Sequence, residues 1–242
     1  MVDHTVKSYD KELDTLERRI AEKMVVDAMD ALGSVNNELA QLVIATDPRL
    51  DLLQREIEEQ AILTIARRQP MAVDLREIIG AIRVAGDLER IGDLAKNIAR
   101  RSVKIGPESR VPRASVGLKH MNDLATEQLK DVLDAYALRD ADRAHAVWTR
   151  DAELDALEDS VFRDLLTHMM EDPRNISFCT HLLFCSKNIE RMGDHATNIA
   201  ETVHYLVTGE TLPLDRPKWR GLIDQVIVAG QQSGGGADER PA

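Results

Sequence analysis

One helical segment occurs twice in this chain, and the repeat constrains the fold more than any other feature of the sequence. Residues 87–99 read DLERIGDLAKNIA and residues 188–200 read NIERMGDHATNIA, with eight of thirteen positions identical. Upstream, residues 36–53 align with residues 140–157 at an offset of 104, which falls to 101 at the repeated segment. A duplicated unit of about 100 residues is large enough to fold by itself, so the repeat predicts two similar units in tandem.

The repeated unit is predicted to be helical. Hydrophobic residues make up 43% of the chain but aromatic residues only 3%, so the core must consist of Leu, Ile, Val, Ala and Met, a composition that favours helix bundles over sheets. Each copy is predicted to form three helices, which gives an all-α fold of two tandem three-helix bundles. The predicted boundaries are residues 1–105 and 113–208, followed by a largely disordered C-terminal segment at 209–242. Prolines, Pro48 among them, are expected at joints between helices.

A helical projection of the repeated segment separates an apolar seam from an acidic stripe. At 100° per residue, the apolar positions cluster on one side and are predicted to face the core. They are Leu88, Ile91, Ala95 and Ile98 in the first copy, and Ile189, Met192, Ala196 and Ile199 in the second. Glu89 and Asp93, with their counterparts Glu190 and Asp194, fall on the other side and are predicted to lie on the outward face.

Two further acidic pairs with the same spacing are predicted near the start of each middle helix, Asp47 with Asp51 and Asp151 with Asp155. Like charges four residues apart repel on a helix, and four such pairs at matched places suggest compensation by a cation. Carboxylates without His or Cys suit Mg²⁺, Ca²⁺, Mn²⁺ or iron. Two other interpretations stay open: Asp47, which precedes Pro48, is an ordinary N-cap, or the acids form a solvated face.

Several other residues carry weaker signals. Gly92 and Gly193 lie mid-helix, where glycine is unfavourable, so we expect close approach of a neighbouring helix or a ligand. Arg90 and Arg191 are expected to form surface or interhelical ion pairs. His195 adjoins Asp194, but its counterpart is Leu94, so we do not assign it to a site. The two cysteines, Cys179 and Cys185, are expected to be small core residues in a reducing compartment, with a redox or metal role as the alternative.

Charge and hydropathy exclude several classes of function. The net charge of −11 disfavours direct binding to nucleic acid or to anionic lipid. The sequence contains no run of 18 apolar residues and no apolar signal-peptide core, so we expect a cytoplasmic protein without membrane insertion. It also contains no glycine-rich phosphate loop and no nucleophile–base motif.

The repeated motifs resemble those of the PhoU family of phosphate-uptake regulators, and in particular its PhoY-like actinobacterial form. The likeness is carried by ARRQPMAVDLREI leading into DLERIGDLAKNIA, and by MMEDPRNI leading into NIERMGDHATNIAE, and it extends over about residues 5–208. It implies a PhoU-like fold in which the two bundles are pseudo-symmetric. It also implies multinuclear metal clusters of iron or zinc, with manganese or magnesium as further possibilities; all-oxygen ligation favours iron. The implied ligands are Asp47, Asp51, Glu89, Asp93, Asp151, Asp155, Glu190 and Asp194.

The resemblance further implies a negative regulator of the phosphate-starvation response and of phosphate uptake. Such a protein would couple the ATPase subunit of a phosphate ABC transporter to a sensor histidine kinase, as a homodimer with peripheral membrane association at most, and would not be an enzyme. Two alternatives stay open. One is a carboxylate-bridged metal hydrolase or oxidase built on a bundle, and the other is a helical adaptor whose acids are only solvated.

Overall fold

The computed structural model describes residues 4–105 and 112–213, which form helices and no strand, so the predicted all-α fold is confirmed. The helices are α1 (His4–Ser34), α2 (Asn37–Arg68), α3 (Val73–Lys104), α4 (Pro112–Leu138), α5 (Ala141–Thr149), α6 (Asp151–Glu171) and α7 (Ile176–Thr208), with a 3₁₀ turn at Pro173–Asn175. Most of the predicted C-terminal segment, residues 214–242, lies outside the described residues. None of the described helices has a stretch long and apolar enough to span a bilayer.

The first bundle contains α1, α2 and α3, and the second contains α4, the pair α5–α6, and α7. The prediction that Pro48 marks a joint is wrong, because α2 continues through it. Packing of the flanking side chains Val43, Leu50 and Leu53, all buried, holds this helix together although proline removes a backbone donor. The second bundle breaks its middle helix instead at Arg150, whose carbonyl accepts a hydrogen bond from Gln128 Nε2 at 3.2 Å.

Both predicted apolar seams are confirmed, since their eight side chains are almost fully buried. The buried residues of the two bundles form one continuous hydrophobic cluster, in which Met24 and Leu88 of the first half join Met121 and Ile189 of the second. The repeats therefore share a core, although each copy has its own set of three helical segments.

Helices α3 and α7 form the seam between the bundles and run antiparallel. A Cβ atom at Gly80 would clash with Leu206, Asp87 lies beside His195, and the Arg101 guanidinium stacks 4.0 Å above the Phe184 ring. Numbers rise along one helix as they fall along the other, so the start of α3 lies beside the end of α7.

This arrangement places the two hairpin turns at opposite ends of the seam. The α2–α3 turn exposes 81% of Met71, and the α6–α7 turn follows Met170, which is 78% exposed. Within the first turn, Gln69 and Ala72 both adopt positive φ angles, 48° and 47°, a conformation that costs free energy for residues with a side chain.

Gly92 and Gly193 mark the closest approach between helices inside each bundle. A Cβ atom at Gly92 would lie 2.3 Å from Leu50 Cδ2, and one at Gly193 would lie 2.4 Å from Leu154 Cδ2. Leu50 and Leu154 are themselves aligned in the repeat. The expected reason for these glycines is therefore confirmed as contact with a neighbouring helix, made twice.

We expect Gly92→Ala to lower the free energy of unfolding by about 1–3 kcal/mol, because the buried Leu50 side chain must shift to admit a methyl group. Gly86→Ala is the matched control in the same helix, since a Cβ atom there meets nothing within 4 Å. Its greater helix propensity is expected to stabilise the protein by up to about 1 kcal/mol. Urea unfolding monitored by circular dichroism measures both, and equal changes would contradict this account of Gly92.

Candidate functional site

The four acids predicted for the first bundle lie together between α2 and α3. We name Asp47, Asp51, Glu89 and Asp93 the first carboxylate set. Burial raises the pKa of Glu89, and the nearby charges of Asp93, Asp51 and Asp47 raise it further, against a lowering effect of Arg90. Mutual repulsion of this kind requires that the four carboxylates be neighbours, as the resemblance to the PhoU family implies.

A lysine that sequence reasoning did not assign to the site compensates part of the negative charge of the first carboxylate set. Lys96 Nζ lies 2.7 Å from Asp47 Oδ2 and also pairs with Asp93. The Lys96 side chain is only 14% exposed. Burial alone would lower the pKa of its ammonium group, but the hydrogen bonds to Asp47 and Asp93 outweigh burial and raise it. Lys96 thus places a permanent positive charge between α2 and α3.

Two predictions about these acids are wrong. Asp47 is not an N-cap at the start of the middle helix, because it lies in the interior of α2; only Asp151 begins a helix. Glu89 and Glu190 also do not simply face outward as predicted, because their side chains are only 20% and 17% exposed; Asp47 and Asp151 are buried as well. The projection treated each helix alone, whereas the adjacent middle helix covers the acidic stripe.

The second carboxylate set, Asp151, Asp155, Glu190 and Asp194, occupies the matching place between α6 and α7. Burial, followed by the charges of the other three acids, raises the pKa of Asp155 to about 6. Burial also raises the pKa of Glu190, against the lowering effect of Lys187. The structure therefore brings both predicted groups of four together.

The second carboxylate set contains more negative charge than the first. Glu158, which sequence reasoning missed, lies one helical turn beyond Asp155, and its counterpart in the first bundle is the neutral Gln54. Lys187 Nζ lies 3.1 Å from Glu190 and 3.9 Å from Glu158, but it is an exposed side chain at the rim. Glu158 could have been assigned to this set from the sequence, because Asp151, Asp155 and Glu158 share one helical face.

Lys96 has no equivalent in the second carboxylate set. The aligned residue is Thr197, whose hydroxyl lies 3.2 Å from Asp151 Oδ1 and 2.9 Å from the Gly193 carbonyl. A hydroxyl satisfies a hydrogen bond but supplies no charge. The two repeats thus share the spacing of their acids but differ in the group beside them: an ammonium group offsets negative charge in the first set, and a neutral hydroxyl takes its place in the second.

The two sets differ in how well they fit a metal ion. As the side chains stand, no group of three His, Cys, Asp or Glu residues within the described ranges is arranged to hold one. In the first set, the Lys96 ammonium group lies between Asp47 and Asp93, where a metal ion would otherwise pair with them. In the second, Glu190 Oε2 is buried and has no hydrogen-bond partner among the described residues, and the donors are all hard carboxylate oxygens. By donor chemistry, the oxygens of the second set suit a cation better than those of the first set, which already contains an internal ammonium group.

The remaining candidates take structural roles. His195 Nδ1 lies 2.9 Å from Asp87 Oδ1 across the α3–α7 seam, not beside the second carboxylate set. Cys179 and Cys185 are free and buried, and burial raises the pKa of the Cys185 thiol to about 12. Buried thiols with a raised pKa are poorly reactive, which disfavours the redox or metal alternative.

Known proteins resemble this chain along most of its length. The PhoU domain family matches residues 15–102 and 118–203. A phosphate-specific transport system accessory protein PhoU homolog from Rhizobium meliloti is 53% identical over 221 residues, which is 89% of this chain and 93% of that protein. A homolog of the same name from Caulobacter vibrioides is 49% identical over 224 residues, 90% of this chain and 97% of that protein.

Two solved structures share the fold. The crystal structure of PhoU from Pseudomonas aeruginosa superposes with a TM-score of 0.80 at 40% identity, covering 85% of this chain and 96% of that one. The phosphate transport system regulatory protein PhoU from Streptococcus pneumoniae gives a TM-score of 0.78 at 27% identity, covering 86% and 98%. With both repeats matched and two relatives near 50% identity, the chain belongs to the PhoU family.

Proposed function

We propose that this protein is a negative regulator of the phosphate-starvation response and of phosphate uptake. The observation that carries the proposal is the match of both repeats to the PhoU domain, together with relatives named as accessory proteins of the phosphate-specific transport system. In this proposal the protein acts in the cytoplasm as a homodimer. It couples the ATPase subunit of the transporter to a sensor histidine kinase and has no catalytic activity of its own.

The proposed role is consistent with the chemistry of the chain. A net charge of −11 disfavours direct action on DNA, so control of transcription would pass through a protein partner. The broad α-helical surfaces and the two hairpin turns at opposite ends of the seam offer area for such partners. The function of the family, not the geometry of the carboxylates, supports this assignment.

The proposed function includes metal binding by this chain's own carboxylates. The second carboxylate set would hold the ion, with Asp151, Asp155, Glu190 and Asp194 as ligands and Glu158 beside them. A bound iron, zinc, manganese or magnesium ion would supply positive charge that holds α6 against α7. Binding requires these side chains to turn toward the ion, and the buried, unpartnered Glu190 oxygen gains a partner by doing so. The first carboxylate set already contains the Lys96 ammonium group, so in this proposal it binds an ion less well than the second.

We expect deletion of the gene to leave phosphate-starvation genes switched on in phosphate-rich medium, at a level approaching that of starved wild-type cells. A reporter fused to a starvation-induced promoter measures the effect, and the gene restored in trans is the control. Retained repression would contradict the proposed role unless a second copy compensates, and a double deletion distinguishes the two cases. Pull-down of the transporter ATPase or the kinase at high and low phosphate tests the partners.

A further inference from the structure

A groove of about 1270 Å³ runs along the seam between α3 and α7. It shares only Asp194 with the two carboxylate sets. The first part of the chain after α7 also lines it, at residues 211–213. Apart from Asp194, the side chains that line this groove belong neither to the apolar seams nor to the two carboxylate sets.

Three arginines line the groove, Arg83 and Arg90 from α3 and Arg191 from α7. Arg83 and Arg191 make no ion pair or hydrogen bond within the described part of the chain. Arg90 has only long contacts with its own helix, 3.4 Å to Glu89 and 3.7 Å to Asp93. The expectation of ion pairs at Arg90 and Arg191 is thus met weakly at Arg90 and not at Arg191. One groove of a chain whose net charge is −11 therefore holds three guanidinium groups that keep most of their hydrogen-bond donors open.

Three acids line the groove; Asp194 belongs to the second carboxylate set, and the other two, Asp87 and Glu201, are engaged by protein groups. Asp87 Oδ1 lies 2.9 Å from His195 Nδ1 and 3.3 Å from Asn198 Nδ2. Glu201 accepts a hydrogen bond from the Trp148 indole at 3.2 Å. The Asp87 and Glu201 carboxylates thus interact with protein groups, whereas the N–H donors of the arginines are available to an acceptor from outside the protein. A guanidinium group pairs with phosphate oxygens through two parallel hydrogen bonds, which makes it well suited to phosphoryl groups.

The spacing of the arginines indicates the size of the ligand. Arg83 and Arg90 are two helical turns apart on the same face of α3, which is roughly 10 Å along the axis. Two or more linked phosphoryl groups match this spacing better than a single phosphate ion does. Arg191 reaches the same groove from the opposite helix. We infer that the groove binds an oligophosphate, an anion with two or more linked phosphoryl groups, such as an inorganic tripolyphosphate or the phosphate chain of a nucleotide.

Calorimetric titration of the full-length protein with tripolyphosphate tests this inference. The protein is first stripped of metal, so that phosphate cannot bind through an ion at the carboxylate sets. The double variant Arg83→Gln with Arg191→Gln is expected to weaken binding by about tenfold per lost guanidinium contact. The matched control, Arg49→Gln with Arg55→Gln, removes two exposed arginines of α2 that lie outside the groove and should leave the affinity within about twofold. Circular dichroism verifies that all variants fold.

Three further ligands identify what is recognised. ATP is expected to bind with the same dependence on Arg83 and Arg191, orthophosphate at least about tenfold more weakly, and polyglutamate not measurably. The inference is overturned if wild-type protein does not bind tripolyphosphate or if the α2 control loses affinity equally. Equal binding of orthophosphate would overturn the requirement for linked groups, and equal binding of polyglutamate would indicate a groove for an acidic protein segment instead. These results do not depend on the regulatory role.

Discussion

Replacing Thr197 with lysine is expected to abolish most of the metal binding that we propose for the second carboxylate set. The substitution gives the second carboxylate set the internal ammonium group that Lys96 supplies to the first, at the aligned position of the repeat. A lysine there would pair with Asp151 and Asp194, as Lys96 pairs with Asp47 and Asp93, and would repel a cation. Elemental analysis after incubation with iron, zinc, manganese or magnesium and dialysis measures the loss.

The matched control is Thr197→Val, which removes the hydroxyl contact with Asp151 without adding charge and should keep most of the metal. The converse change, Lys96→Gln, should allow the first carboxylate set to take up an ion. An ion that binds only the folded protein adds about 2.7 kcal/mol of stability at a hundredfold excess over its dissociation constant, so melting curves provide a second measurement. Unchanged metal content in Thr197→Lys, with an unchanged metal-induced shift in Tm, would refute the assignment.

The alanine variants of the acids provide a separate comparison. From the repeat alone, Glu89→Ala with Asp93→Ala would be expected to halve the bound metal. Because the Lys96 ammonium group already compensates part of the charge of the first carboxylate set, we expect that variant to keep nearly all of it, and Glu190→Ala with Asp194→Ala to lose nearly all. Loss of half the metal in each double variant would favour two equivalent sites and contradict the asymmetry.

The second large effect concerns pH. Replacing Asp155 with asparagine is expected to stabilise the metal-free protein at neutral pH and to flatten its pH dependence. Burial and neighbouring acids raise the pKa of Asp155 from 3.8 to about 6 in the folded protein. Between these two values the folded state binds more protons than the unfolded state, so stability falls as pH rises through this window. Asparagine cannot ionise, which removes that loss.

Urea unfolding across this pH window, in chelator-treated buffer, measures the effect. Asp164→Asn removes an exposed carboxylate from the same helix and is the matched control. In the presence of metal, Asp155→Asn is expected to destabilise the protein instead, because it deletes a proposed ligand and lowers the metal-dependent gain in stability. A variant with wild-type pH dependence, or one that is less stable than wild type at neutral pH without metal, would contradict the raised pKa.

Much of the fold was predictable from the sequence because the signal is repeated. The apolar seam at Leu88 and Ile91 and the packing constraint at Gly92 follow from helical periodicity and from alignment of the two copies, whereas the grouping of Asp47 and Asp51 with Glu89 and Asp93 was implied by the resemblance to the PhoU family. The first two are patterns within one helix or between aligned positions. Such patterns need no knowledge of how the helices are placed in space.

Features that depend on contacts between helices were not predictable. Lys96 follows Asp93 by three residues, but its pairing with Asp47 depends on how α2 lies against α3. Burial of Asp47 has the same cause. Packing overrides the tendency of Pro48 to interrupt a helix. Asp47 and Asp51 therefore lie in the interior of α2 and not, as had been expected, near its start. The contact between Asp87 and His195 exists only because α3 and α7 run antiparallel, which neither copy of the repeat encodes alone.

The antiparallel seam also gives the molecule a fixed reach. Helix α3 has 32 residues and α7 has 33, so at 1.5 Å per residue the exposed turns at Met71 and Met170 stand roughly 45–50 Å apart. Within the described residues, the two bundles share one core along that distance. Two partners bound at the two turns would therefore be held at a set separation.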